Sequence, residues 1–237
     1  MSKLKIGIFG DSFAAPPENH QSTDWVKLQA ARNPNGKSWA TIIAENPNYE
    51  VTNYAVGGSS FYFSYQHFKE TYILYDKIVF VGTMPGRIYS PHYEPKHFHV
   101  GLIGNPEYCR IFDIDTLEKY YKYFYNDEEA IEMRQLMIDR IKQEENVLFL
   151  SVTHANHTNH NSLPLGSLQE FDFEIFNKYD SNTLMANDIR HNHINNENNK
   201  ILAEKVSKWI DTGEAVTINK SDFVYPNVED FSCYFNI

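Results

Sequence analysis

Short apolar runs alternate with amphipathic stretches along most of this chain. Four segments are predicted to be β-strands, at about residues 3–9, 50–54, 78–81 and 147–151, and all but the second are mainly apolar. The run Ile78-Val79-Phe80-Val81 is apolar at every position, as expected of a central parallel strand buried on both faces. Helical periodicity occupies the stretches Trp39–Ile43, Phe61–Leu74, 116–145 and about 196–210. This alternation predicts an α/β fold, a three-layer doubly wound parallel sheet of flavodoxin-like shape.

Local signals support several of these helices. Ser38 is placed to cap the first of them, and Asn46-Pro47 closes it. The charged stretch 116–145 reads as one helix, with its apolar side formed by Tyr120, Phe124, Ile131, Leu136, Ile138 and Ile141. Residues 83–113 and 153–192 lack such periodicity and are predicted to be long loops, which in compact domains usually carry function.

The length suits one large α/β domain, which we place at residues 1–211. Residues 212–237 then form an aromatic tail that packs on this domain or on a partner chain. The tail is therefore the candidate surface for a homo-oligomer. Its aromatic residues are Phe223, Tyr225, Phe231, Tyr234 and Phe235.

Composition excludes some partners. A formal net charge of −10 argues against nucleic acid held through phosphate contacts. Cys109 and Cys233 are far apart and are expected to be reduced thiols. The sequence begins directly with the first strand, without a signal-peptide pattern, and no apolar run has membrane length. The expected location is the cytoplasm, with no membrane span.

The candidate chemistry begins at Gly10-Asp11-Ser12, where the first strand ends. Ligands of open α/β folds bind at the carboxyl ends of the strands, so a hydroxyl there is well placed. A serine at this point can also present its own backbone N–H to a substrate. The competing interpretation is an ordinary turn, since Gly, Asp and Ser are common turn residues.

Three blocks of the chain together resemble the SGNH (GDSL-type) hydrolase superfamily, over roughly residues 3–211. They are Ile8-Phe9-Gly10-Asp11-Ser12-Phe13, Asn53-Tyr54-Ala55-Val56-Gly57-Gly58-Ser59 and Asp188-Ile189-Arg190-His191-Asn192-His193. The resemblance implies a Ser-His-Asp system with Ser12 as nucleophile and Asp188 orienting the base. It implies an oxyanion hole from the N–H groups of Ser12 and Gly58, with no metal or organic cofactor. Asn53 is expected to tie its loop to the sheet.

Two histidines compete for the role of base. His191 has the Asp-x-x-His spacing that is usual in the family. His193 instead matches a variant pattern, Asp-x-Arg-x-Asn-His-Leu, with Ile194 in the place of the leucine. The sequence favours His193 and keeps His191 as the alternative.

The chain departs from the family after the third strand. Gly82-Thr83-Met84 stands where Gly-x-Asn is expected, and a thioether cannot donate the hydrogen bond of the missing asparagine. Arg87, three residues further on, is the candidate replacement donor. A surface arginine, or one that binds a substrate anion, is an equal alternative for this residue.

Three further histidines have a spacing that invites a metal-ligand interpretation. His154, His157 and His160 are evenly spaced among Asn and Thr, without a carboxylate nearby. Structural zinc sites usually show tighter Cys/His patterns, so a polar loop is favoured and no metal is predicted. His92, His97 and His99 are predicted to be ordinary loop residues, with a place in the lining of a substrate pocket as the alternative.

These observations predict a serine ester hydrolase, an acylesterase or deacetylase acting through an acyl-enzyme. The polar and aromatic loops suit a small acyl group on a polar carrier, such as an acetylated sugar, although the fold does not specify the substrate. Two alternatives remain open. One is a binding or assembly protein with little activity, supported by Met84. The other is an acyltransferase that uses the same serine.

Overall fold

The fold is built on a four-stranded parallel sheet. The computed structural model describes residues 2–16, 37–83, 87–89, 97–99, 114–152, 194 and 196–224. The sheet strands are β1 (Leu4–Phe9), β2 (Tyr49–Asn53), β3 (Lys77–Gly82) and β6 (Val147–Ser151), in the order β2-β1-β3-β6. All pairs are parallel, with Ile8 opposite Asn53 and Val79 in the registers of β1. Each predicted strand is confirmed to within one residue at either end.

Five α-helices lie in the described part of the chain. They are α1 (Trp39–Ala44), α2 (Phe61–Thr71), α3 (Ile114–Tyr123), α4 (Asp127–Lys142) and α5 (Asn196–Thr212). Ser38 caps α1 as predicted, because its Oγ accepts a hydrogen bond from Thr41 N at 3.2 Å. Short 3-10 helices follow at Tyr72–Leu74 and Lys220–Asp222.

Helices cover both faces of this sheet. Successive strand residues point to opposite faces, so Ile8 and Phe9 enter different core clusters. One cluster joins the sheet to α1 and α5 through residues such as Trp39 and Val206. The other joins it to α2 and α4 through residues such as Phe68. The mixed α/β class with a parallel sheet is thereby confirmed, whereas membership of the SGNH fold remains a prediction.

Two predictions about the middle of the chain were wrong. The single helix expected over 116–145 is two helices, because Asn126 starts a new one by accepting hydrogen bonds from Glu128 N and Glu129 N. Of its six expected apolar-side residues only Ile138 and Ile141 are buried. The segment 83–113 is not loop throughout, since β4 (Arg87–Tyr89) pairs antiparallel with β5 (His97–His99).

The first part of the aromatic tail packs on the domain. Val216, Ile218 and Phe223 are buried in the same cluster as α5. Residues 225–237, Cys109 and Cys233 lie outside the described residues, so the domain boundary and the tail's role in association stay predictions. Among the described helices, none combines the length and apolar character needed to cross a bilayer.

Candidate active site

Ser12 lies in a tight turn at the carboxyl end of β1. The chain leaves the strand through Gly10, whose φ is +151°. A Cβ at Gly10 would meet Val81 Cβ at 2.7 Å, so both the conformation and the space require glycine. The turn closes through hydrogen bonds from Ala14 N and Ala15 N to Asp11 O, at 3.0 and 2.8 Å. Ser12 is only partly buried here, at the edge where ligands of such sheets bind.

The Gly10 carbonyl joins the Ser12 turn to the loop between β2 and α2. It accepts hydrogen bonds from Val56 N at 3.2 Å and from the hydroxyls of Ser59 and Ser64, each at 3.1 Å. Three donors on one buried carbonyl fix this loop against the end of β1. The position of Gly58 relative to Ser12 is therefore set by the fold.

Gly58 has the features expected of a backbone donor to a substrate. Its φ is +79°, and no atom lies within 4 Å of the place where a Cβ would stand. No described residue accepts a hydrogen bond from the N–H of Ser12 or of Gly58. Both N–H groups predicted for the oxyanion hole thus lack an internal acceptor in the described part of the chain.

Asn53 links the same two loops, in the structural role expected of it. Its amide nitrogen donates to Ala14 O, and its Oδ1 accepts from Ala55 N, both at 2.9 Å.

Asp11 is a buried carboxylate for which no role was predicted from the sequence. Only 1% of its side chain is exposed. Its Oδ1 accepts from Phe13 N at 3.1 Å, and its Oδ2 accepts from the Thr83 hydroxyl at 2.7 Å and from Arg87 Nη1 at 2.8 Å. Asp11 therefore connects the turn after β1 to the segment after β3. Its side-chain partners, Thr83 and Arg87, lie more than seventy residues away in sequence, and nothing local could have indicated them.

Arg87 is held by this network. Its Nη1 also donates to Ser59 O at 3.3 Å and to the Thr83 hydroxyl at 3.0 Å. All the side-chain hydrogen bonds of Arg87 to described residues run through Nη1. A donor role toward an oxyanion, which remains a prediction, would therefore fall to Nε or Nη2.

Two buried side chains connect the Ser12 turn to the start of α5. Trp39 Nε1 donates to Phe13 O at 2.6 Å, and Trp39 N donates to Asn199 Oδ1 at 2.9 Å. Asn199 Nδ2 in turn donates to Ile194 O at 2.8 Å. Phe13 follows Ser12 in the chain, and Ile194 follows His193. The residues next to the predicted nucleophile and the favoured base are thus joined through Trp39 and Asn199.

Arg134, on α4, is a second arginine at this edge that sequence reasoning missed. It is 5% exposed, its Nε donates to Thr83 O at 3.1 Å, and its guanidinium lies 5.1 Å from the centre of the Phe61 ring. Burial lowers the pKa of Arg134 to about 10, which leaves it protonated at neutral pH. The sequence placed it in a charged helix, where an arginine is ordinarily a surface residue.

The other predicted site residues lie outside the described residues: Asp188, His191, His193 and Met84. His154, His157 and His160, considered for a metal, also lie outside them. Within the described ranges, no group of three His, Cys, Asp or Glu side chains could hold a metal ion.

Comparisons with known proteins add little. No protein-family model matches the chain, and no curated protein matches it significantly. Among solved structures it is similar to an acetyl xylan esterase, AlAXEase, with 14% identity and a TM-score of 0.37. The match covers 86% of this chain and 98% of the esterase. A TM-score this low carries no argument about function.

Proposed function

We propose that the protein is a serine ester hydrolase of the SGNH (GDSL) type, with a three-layer fold. Ser12 is the nucleophile, His193 is the base with His191 as the alternative, and Asp188 orients the base. The substrate is a small acyl ester, such as an acetylated sugar, and the enzyme needs no metal or organic cofactor. Its place of action is the cytoplasm.

The observation that carries this proposal is the link through Trp39 and Asn199. A serine hydroxyl is a weak nucleophile until a base takes its proton, and the two groups must come within hydrogen-bond reach. The link runs from Phe13, beside Ser12, to Ile194, beside His193, through three hydrogen bonds of 2.6 to 2.9 Å. It joins two described residues about 180 positions apart in sequence, each of which is next to a proposed triad residue.

The oxyanion hole is supported by the backbone around Ser12 and Gly58. The Gly10 carbonyl fixes one loop against the other, and neither N–H has an acceptor among the described residues. Preorganised donors of this kind stabilise the charge that develops on the carbonyl oxygen, and losing one typically costs about 100- to 1000-fold in rate.

The proposed reaction proceeds through an acyl-enzyme on Ser12. Ser12 Oγ attacks the ester carbonyl carbon while the histidine takes its proton. The oxyanion binds to the N–H groups of Ser12 and Gly58. The intermediate collapses with the ester C–O bond breaking, and the histidine returns the proton to the leaving alcohol. Water then cleaves the acyl-enzyme by the same steps. An alcohol in the place of that water would make the same machinery an acyltransferase.

A covalent probe and a chromogenic assay test the proposal together. Wild type and Ser12→Ala are compared on p-nitrophenyl acetate and butyrate, and both are treated with a fluorophosphonate whose site of attachment is read by peptide mass spectrometry. We expect turnover and a Ser12 adduct in wild type only. Circular dichroism checks that the variant is folded. Equal turnover in both proteins would exclude Ser12, and a folded wild type with neither turnover nor adduct would favour the binding-protein alternative.

A further inference from the structure

The end of β3 carries more positive than negative charge. Two guanidinium groups contact Thr83, with Arg87 Nη1 at 3.0 Å from its hydroxyl and Arg134 Nε at 3.1 Å from its carbonyl oxygen. One carboxylate, Asp11, pairs with Arg87. No carboxylate among the described residues contacts Arg134. The group therefore has a formal excess of one positive charge.

This excess sits on a side chain that is almost entirely buried. Arg134 is 5% exposed, and its Nη2 is fully buried without a hydrogen-bond partner. The Phe61 ring offers partial compensation by a cation–π contact. An isolated buried charge is costly, and buried donors in native structures are nearly always satisfied. Among the described residues this donor has no acceptor, and a bound anion would supply one.

The location indicates which ligand. Thr83 directly follows β3, which pairs with β1, and its hydroxyl donates to the carboxylate of Asp11, one residue from Ser12. An anion held by Arg134 would lie at the same edge of the sheet as the predicted nucleophile. A guanidinium suits carboxylate, sulfate and phosphate groups because its planar donors match their oxygens.

We propose that Arg134 binds a negatively charged group of the substrate, so that the preferred esters are anionic. The identification of the ligand as an ester rests on the proposed function, whereas the anion site itself does not. Arg87 is already paired with Asp11, so the specificity is assigned to Arg134.

The binding arm of the test needs no catalysis. In a Ser12→Ala background, calorimetry measures the affinity for monomethyl succinate, with uncharged dimethyl succinate as the matched ligand. We expect the monoester to bind more tightly, and Arg134→Met to weaken its binding about tenfold or more, as for loss of a charge-assisted hydrogen bond. Arg140→Met, an arginine of the same helix that pairs with Glu144, should leave the affinity unchanged.

The kinetic arm compares mono-p-nitrophenyl succinate with its neutral methyl ester in the wild-type background. Arg134→Met should lower the ratio of kcat/KM between the two about tenfold. The variant should fold, because replacing a buried unpaired charge by an apolar side chain of similar volume is often neutral or stabilising. If it does not fold, Arg134→Gln removes the charge while keeping a donor for Thr83 O.

The binding and kinetic experiments distinguish failure of the anion site from failure of the proposed hydrolase function. Equal affinity for the charged and neutral ligands, or an Arg134 variant that binds the monoester as well as its parent does, would overturn the anion site. Charge-selective binding with no turnover by wild type would keep the anion site and count against the hydrolase.

Discussion

Arg87 Nη1 lies 2.8 Å from the Asp11 carboxylate, although 76 residues separate the two along the chain. The carboxylate is 1% exposed and the arginine side chain 19%. This ion pair fixes the segment after β3 against the turn that presents Ser12. The Thr83 hydroxyl completes it by donating to the same carboxylate oxygen.

Arg87→Ala should both destabilise the protein and slow the chemical step. Removing one partner of a buried pair leaves the other charge uncompensated, which costs about 3 kcal/mol of unfolding free energy here because Arg87 is partly exposed. Denaturant unfolding measures this loss, and single-turnover acylation measures the rate.

The double variant Arg87→Ala/Asp11→Asn separates the two effects. It removes the uncompensated carboxylate, so most of the lost stability should return while the acylation rate stays low. Recovery of both quantities would show that Arg87 acts only as a structural partner of Asp11 and donates nothing to the oxyanion.

His193→Ala should reduce kcat by about 1000-fold or more, as expected for loss of a triad base. His191→Ala should cause a much smaller loss, because the link through Asn199 ends at Ile194, the neighbour of His193. The measurement is kcat for p-nitrophenyl acetate with both purified variants. The opposite ranking would assign the base to His191.

Trp39→Phe should lower both stability and kcat. It removes the indole donor to Phe13 O and leaves that buried carbonyl without this partner, at a cost of about 1 to 3 kcal/mol. Trp209→Phe is the matched control, because Trp209 belongs to the same core cluster but lies on α5. Thermal unfolding of the control should shift comparably with little change in kcat. Equal kcat losses in the two variants would contradict a specific role for Trp39 beside Ser12.

Much of the fold was predictable because its signals are local. Three of the four sheet strands, β1, β3 and β6, are short and mainly apolar, and β2 alternates exposed with more buried residues. Ser38 identifies the start of α1 by its own side chain. The break between α3 and α4 was missed because periodicity was given more weight than the capping signal of Asn126 before acidic residues. The pairing of β4 with β5 was missed because each strand has only three residues, too few to show an alternation of polar and apolar positions.

The site was predictable only in part, for a physical reason. The turn at Gly10-Asp11-Ser12 and the role of Gly58 were predictable because the sequence has glycine at both places, and both glycines have positive φ in the structure. The roles of Asp11, Arg134 and Asn199 depend on partners 51 to 160 residues away, which a single sequence does not reveal. Arg134 in particular looks like any other charge of its helix until the fold buries it.

The link through Trp39 and Asn199 also bears on protein synthesis. A nascent chain that has emerged only as far as β6 already contains every strand of the described sheet, Ser12 and Gly58. It still lacks Asn199, and with it the hydrogen bonds that join Trp39 to Ile194. On the ribosome, the segment with the predicted nucleophile is therefore made long before α5, which carries Asn199. The growing chain therefore carries Ser12 without the Trp39–Asn199 link until α5 docks against α1.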